Sequence, residues 1–360
     1  MWPDRRLCDL LRIEHPIIQA PMAGSATPQL AGAVANAGGL GSLGCANMTA
    51  EEVRQAAGRV RAKTNRPFNL NFFVHPPPAT APAVAARAVE RLRPYYDAIG
   101  APPPATLPDL PGGFEPWKLD LLLDLGPPVV SFHFGVPDAA SIAALKAAGI
   151  VLLGSATTVA EARRLEAAGI DAVIAQGYEA GGHRGSHRPT RAADGIGVMA
   201  LVPQIADAVE LPVIAAGGIG DGRGIAAAFA LGAAGVQLGT AFLSCPEAAT
   251  DPVRRAAIAA ATDEDTMVTE AVSGRAARAR RSRYAEAMAQ YSEVLPDFPQ
   301  LYALTMPLVA AHQDDLDGEV GFHLYGQAAA LNRELPAADL VARLVTETAA
   351  VLERLAHPPA

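Results

Sequence analysis

Residues 213–240, VIAAGGIGDGRGIAAAFALGAAGVQLGT, hold two short apolar runs that each break into a glycine turn, with an alanine-rich helical pattern between them. A short apolar run, a tight turn and then a helix make the repeating unit of a parallel sheet. Outward from this stretch the unit recurs. Runs at 16–20, 40–44, 68–73, 129–133, 151–154, 172–176, 213–216 and 236–239 read as strands, and most lead into a segment of 3.6-residue periodicity. Eight such units predict an α/β fold closed into a (β/α)8 TIM-type barrel. A doubly wound open sheet is the alternative, but no GxGxxG follows the first strand.

The helix between the fifth and sixth strands is the clearest. Thr158 and Glu161 have capping-box spacing, Val159, Ala162 and Leu165 share a face, and Gly169 ends the pattern. The 360 residues suffice for one barrel of about 250 residues and roughly 100 more. Two segments supply the excess: the proline-rich 75–128 and the largely helical-looking 246–318. Long insertions at βα positions build lids. The expected division is a barrel from 1–75, 120–245 and 318–360, with a smaller, mainly helical lid from 76–119 and 246–317. The segment 328–356 reads as the closing helix.

Composition narrows the function. Net charge is −8, Lys63, Lys118 and Lys146 are the only lysines, and no basic block suits a nucleic acid. Cys8, Cys45 and Cys245 form no CxxC pair, which fits reduced thiols and a cytoplasmic location. No uninterrupted apolar run is long enough for a membrane span, and the charged N-terminus does not read as a signal peptide.

The chemistry gathers at the strand ends. The loops after the seventh and eighth strands, with Gly217, Gly218, Leu238, Gly239 and Thr240, expose backbone N–H groups of the kind that suit a phosphate, at the ordinal positions where barrels often bind one. That phosphate belongs to either a sugar phosphate or a flavin. The amides of Asn71 and Gln176 suit the edge of a flat heterocycle, and Gly181 and Gly182 permit close backbone approach. His183 stands in the glycine-rich loop after the sixth strand and points by topology to the barrel mouth, as a catalytic group would. His133 ends the fourth strand as either a substrate contact or a packed histidine. His183 and His187 have HxxxH spacing, but Gly185 and Pro189 argue against a helix and a metal pair. Cys45 reads as packed rather than nucleophilic, and no strand ends in a Schiff-base lysine.

The strings PIIQAPMAG, NLNFF, VVSFHFG, AQGYEAGGHRG and AAGGIGDGRGIAAAFALGAAGVQLGTAFL together resemble the nitronate monooxygenase family, class I branch. The resemblance implies FMN in a barrel under a small lid, contacted by Met22, Asn71, Gln176, Gly181, Gly218, Gln237, Gly239 and Thr240. It implies that His183 is catalytic, that His133 lies in the substrate pocket, and that an alkyl nitronate and O2 give a carbonyl compound and nitrite. Tyr302, in FPQLYALTMPL (298–308), matches one lid tyrosine, also in the substrate pocket. Phe298 and Met306 replace a second tyrosine and a lysine, which counts against a carboxylate-bearing nitronate such as propionate 3-nitronate. Expected partners are a nitronate and O2, with the chain a monomer or homodimer. An FMN-dependent NAD(P)H reductase of quinones or enoyl thioesters stays open, as does a non-catalytic flavin-binding protein.

Overall fold

A computed structural model describes residues 2–312 and 320–357. Its strands are β1 (Ile17–Gln19), β2 (Gly41–Gly44), β3 (Phe68–Phe73), β4 (Val129–His133), β5 (Val151–Ala156), β6 (Ala172–Gln176), β7 (Gly182–His183), β8 (Val213–Ala216), β9 (Gly235–Leu238), β10 (Thr266–Thr269) and β11 (Ala277–Arg280). Eight of them form one parallel sheet in the order β1-β9-β8-β6-β5-β4-β3-β2. A parallel bridge between Ile18 and Leu40 brings β1 beside β2 and closes the barrel. The closed ring excludes the open doubly wound sheet.

Alternation along the strands explains the closure. Ile18, Val129, Leu153, Ile174 and Ile214 pack together with Leu7, Cys8 and Leu11 of the first helix, Arg6–Leu11. The alternate residues, among them Ile17, Val130, Leu152, Val173 and Val213, belong to the larger core shared with the helices. Burying each such side chain contributes roughly 1.5–3 kcal/mol, so a one-residue register slip in any strand would exchange the two layers at large cost. At Gly41 a Cβ would stand 2.0 Å from the Ala31 carbonyl oxygen, so this glycine lets the helix Pro28–Asn36 lie against β2.

The helix Val159–Ala167 forms where expected and Gly169 follows it with φ +88°. Its start is only half a capping box. Thr158 accepts the Glu161 N–H, but the Glu161 carboxylate accepts from the N–H and hydroxyl of Thr157 and from the N–H of His187. The closing helix runs Ala337–Ala356 and buries Leu340, Val341 and Leu344.

The insertions pack together. Leu92 and Tyr96 of the helix Pro82–Ala98 share a separate core with Tyr284, Leu301, Leu304 and Leu308 from the later segment. The later segment is not purely helical. β10 and β11 pair antiparallel, and β11 pairs with β7, so His183 lies opposite Ala277. A two-residue strand carries no readable period, which is why this small sheet leaves no mark on the sequence pattern. Residue 318, where the sequence reading divided lid from barrel, lies outside the described residues.

Candidate active site

The C-terminal ends of the strands open into a cavity of about 940 Å³, within the size range of small-molecule and cofactor sites. Met22, Asn71, Gln176, Gln237 and Leu238 lie on its wall. So do Gly181, Gly182, Gly217, Gly218, Gly239 and Thr240, together with His133, His183 and Tyr302. Every site residue expected from the sequence thus borders a single space.

On one side the chain offers a cradle of backbone. Gly217 and Gly218 have φ +106° and +68°, a left-handed turn that a side chain would strain. Among the described residues the N–H groups of Gly218 and Ile219 find no acceptor. The Gln237 Oε1 is buried without a partner. Buried, the Gln237 oxygen and the Ile219 N–H are costly unless a ligand satisfies them, while the Gly218 N–H lies open to the cavity. Asn71 uses its Nδ2 on the Ser131 carbonyl (3.2 Å) and hydroxyl (2.9 Å), which leaves Oδ1 as its acceptor.

Not every expected residue is free for a ligand. Gln176 donates from Nε2 to the His183 carbonyl (3.0 Å) and accepts the Gly185 N–H at Oε1 (2.6 Å), so much of its amide braces the histidine loop. At Gly181 a Cβ would fall 2.4 Å from the Tyr325 carbonyl carbon, so its missing side chain makes room for the chain itself. The Thr240 hydroxyl accepts the Gly326 N–H at 2.9 Å.

His183 is enclosed by aromatic rings. Phe298, Phe134, Phe322, Tyr302 and Phe73 have centroids 5.4, 5.8, 6.1, 6.3 and 6.5 Å from its own. Burial among these rings pushes its pKa down to about 3, aided by His133 and Arg275. Its Nε2 lies 2.9 Å from the Ser273 hydroxyl and 3.4 Å from that of Tyr302. Tyr302 is itself held protonated, because burial raises its pKa beyond the usual phenol range.

His133 is held down to about 4, chiefly by burial. Its Nε2 donates to the His183 carbonyl (3.1 Å), since a carbonyl only accepts, and its Nδ1 therefore accepts from the Ser155 hydroxyl (2.9 Å). Both ring nitrogens are thus engaged by the protein. His187 turns away, with Nε2 on the Ser155 carbonyl at 2.9 Å and Nδ1 against Arg164 at 3.3 Å. Cys45 is fully buried and its thiol is pushed up to about 12, which suits packing rather than attack.

Sequence reasoning missed several participants. Ser273 and Arg275 come from the segment between β10 and β11, and no motif marks them. The Arg275 guanidinium sits 3.9 Å over the Phe134 ring, and Phe134 has φ +75°. A phenylalanine held there stores strain of the kind found at functional sites, and the SFHFG string was its only signal. Lys118 also borders the cavity, buried, with its Nζ 2.5 Å from the Gly113 carbonyl. It lies on a helix, Pro116–Leu125, where strand-end reasoning does not look. Burial chiefly, and then the charges of Arg275 and Lys118, lower the pKa of His75 on the cavity wall, so two cations act on that side of the site.

A profile of the nitronate monooxygenase family matches residues 4–347. The chain is 48% identical over 354 residues to a nitronate monooxygenase of Paraburkholderia phytofirmans, covering 98% of this chain and 97% of that one. It is 46% identical over 345 residues to one of Pseudomonas aeruginosa, covering 95% and 98%. Among solved structures, a nitroalkane oxidase from Streptomyces ansochromogenes superposes with TM-score 0.89 at 41% identity, covering 97% of this chain and 99% of that one. FabK from Thermotoga maritima follows at TM-score 0.76 and 32% identity, covering 99% of each. With a barrel of this topology, a family match over nearly its whole length and relatives at this identity, the chain belongs to the nitronate monooxygenase family.

Proposed function

We propose that this protein oxidises alkyl nitronates with O2 to a carbonyl compound and nitrite, with FMN as its cofactor and His183 as its catalytic residue. The family is flavin-dependent, and the residues present suit a flavin mononucleotide. The orphaned Gln237 Oε1, the free Asn71 Oδ1 and the unpaired Gly218 and Ile219 amides fit a group with a polar heterocycle and a phosphate. Met22, Gln176, Gly217, Leu238, Gly239 and Thr240 would complete its bed, with Gly181 and Gly182 on the adjoining wall. Bound flavin supplies the one-electron chemistry that links the nitronate to O2.

The residues of the chain do the rest. The ring of aromatic side chains around His183 excludes water. Arg275 and Lys118 favour entry of an anion, which is what a nitronate is. The His183 ring has one unprotonated nitrogen at neutral pH, so it can take the α-proton of a bound nitroalkane, or offer its N–H to the anionic oxygen of a nitronate. Tyr302 keeps its phenol proton and so offers a hydrogen bond to a nitro oxygen. His133 acts through His183 by holding its carbonyl, and gives the substrate only ring surface.

The single observation that carries this reading is the half-buried His183 on the wall of a cavity that also has unsatisfied flavin-type donors and acceptors. The test is nitrite release and O2 uptake by the purified flavin-loaded protein with ethyl-, propyl- and propionate nitronates, NAD(P)H absent. Stoichiometric nitrite supports the reading. Bound flavin that gives no nitrite, but is bleached anaerobically by NADH or NADPH, overturns it in favour of a reductase.

A further inference from the structure

The hydrogen bonds around Ser273 specify where His183 carries its proton. A serine hydroxyl has one proton to give and two lone pairs with which to accept. Ser273 Oγ lies 2.9 Å from the backbone carbonyl oxygen of Arg275, a group that only accepts and that has no other partner among the described residues. The hydroxyl proton therefore goes to that carbonyl, because leaving the buried oxygen unpaired is costly. One lone pair of Oγ receives the Arg275 N–H at 3.2 Å. The other faces His183 Nε2 at 2.9 Å, and that contact is attractive only if Nε2 bears the hydrogen. Two lone pairs facing each other at this distance would repel.

The ring's second nitrogen then follows. His183 Nδ1 has no partner within the described chain, and it is not among the buried polar atoms left without one. It is the bare, accessible nitrogen on a ring that borders the cavity. Pairing of β7 with β11 fixes the backbone from which the ring projects, and Ser273 and Arg275 lie just before β11 in the chain.

We propose that Ser273 is a positioning residue that sets His183 as the Nε2–H tautomer, so that Nδ1 is the atom that takes the α-proton of a nitroalkane. The C–H electron pair moves into the C=N bond of the nitronate, a pair of the nitro N=O bond moves to oxygen, and the proton ends on Nδ1 to give an imidazolium whose Nε2–H still rests on Ser273. Without Ser273 the Tyr302 hydroxyl, 3.4 Å from Nε2, can donate to that nitrogen and draw the ring proton to Nδ1, a tautomer with no base facing the substrate. The inference deepens the reading of His183 given above and rests on it for the proton-transfer step.

Two measurements test it. Nitrogen NMR of the flavin-loaded enzyme labelled at histidine, assigned with His183→Asn, reads the tautomer directly. The expected spectrum has a protonated Nε2 and a bare Nδ1 at neutral pH, and a proton on Nδ1 overturns the proposal. The second measurement compares kcat/KM for a neutral nitroalkane with that for its own nitronate, since only the former needs a base. Ser273→Ala should lower this ratio by roughly tenfold or more, and Ser273→Thr, which keeps the hydroxyl, should recover most of it. An unchanged ratio in Ser273→Ala, or wild-type turnover of nitronate with none of nitroalkane, overturns the proton-acceptor role. A wild-type enzyme inactive on both would instead count against the monooxygenase reading, and the spectrum would still decide the tautomer.

Discussion

His133 holds His183 by its backbone: the His133 Nε2–H points at the His183 carbonyl oxygen, 3.1 Å away, where the Gln176 Nε2 joins it at 3.0 Å. Two donors from β4 and β6, the strands on either side of β5, thereby fasten the short strand that carries the His183 ring. His133→Ala removes one donor and leaves the Ser155 hydroxyl without its acceptor. The expected cost is about 1–3 kcal/mol of stability, measured by urea unfolding of the flavin-loaded protein. Nitronate turnover should fall with it, because the ring is then less well placed.

His183→Asn keeps a polar side chain but removes the base. Oxidation of neutral nitroalkanes should fall by about 10²–10⁴-fold, the usual worth of a positioned general base, while oxidation of preformed nitronates falls less. Parallel nitrite assays on a nitroalkane and on its nitronate make the comparison. Equal losses on both would assign His183 to anion binding rather than proton removal.

Acid should weaken the fold through the same histidines. His183 and His133 are held to about 3 and about 4, below the ordinary value of 6.5, so below pH 6.5 the unfolded chain binds more protons than the folded one. Their contribution to stability is complete above 6.5 and is lost progressively as pH falls toward 3. Urea midpoints at pH 7, 5.5 and 4.5 should decline in that order. His183→Asn should show a shallower decline, having one proton fewer to exclude.

Met306 borders the cavity, is 43% exposed, and lies on the same helix as Tyr302. Met306→Lys places an ammonium at the cavity's edge, where a charged hydrogen bond is worth about 1.5–3 kcal/mol. The ratio of kcat/KM for propionate 3-nitronate over propyl nitronate should rise by roughly tenfold or more. No change would mean that the substrate's tail points elsewhere.

The barrel was legible because each of its strands is a short apolar run bounded by a breaker, and eight such runs admit few arrangements. Four of them, Phe68–Phe73, Val129–His133, Ala172–Gln176 and Val213–Ala216, begin and end where the sequence pattern does. The groups at strand ends were legible for the same reason: topology sends Asn71, His133, Gln176 and the glycine turns to one rim. What stayed hidden is what crosses from the lid. Ser273 and Arg275 reach His183 and Phe134 over ninety and more positions of chain, through a sheet one of whose strands is two residues long. Neither period nor composition reports such a contact. The loss of free hydrogen-bonding capacity at Gln176 and His133 was equally invisible, since a residue type tells what a side chain can bond to and not what it has already met.

The pairing of His183 with Ala277 has a consequence for how this enzyme can be altered. The imidazole hangs from the barrel's own loop, yet the oxygen that receives its Nε2–H comes from the cap. Grafting the cap of one relative onto the barrel of another would unite a ring from one parent with an anchor from the other. Such hybrids should fold and take up flavin more readily than they regain proton abstraction, because the His183 ring is correctly held only when both halves agree on the position of a single strand.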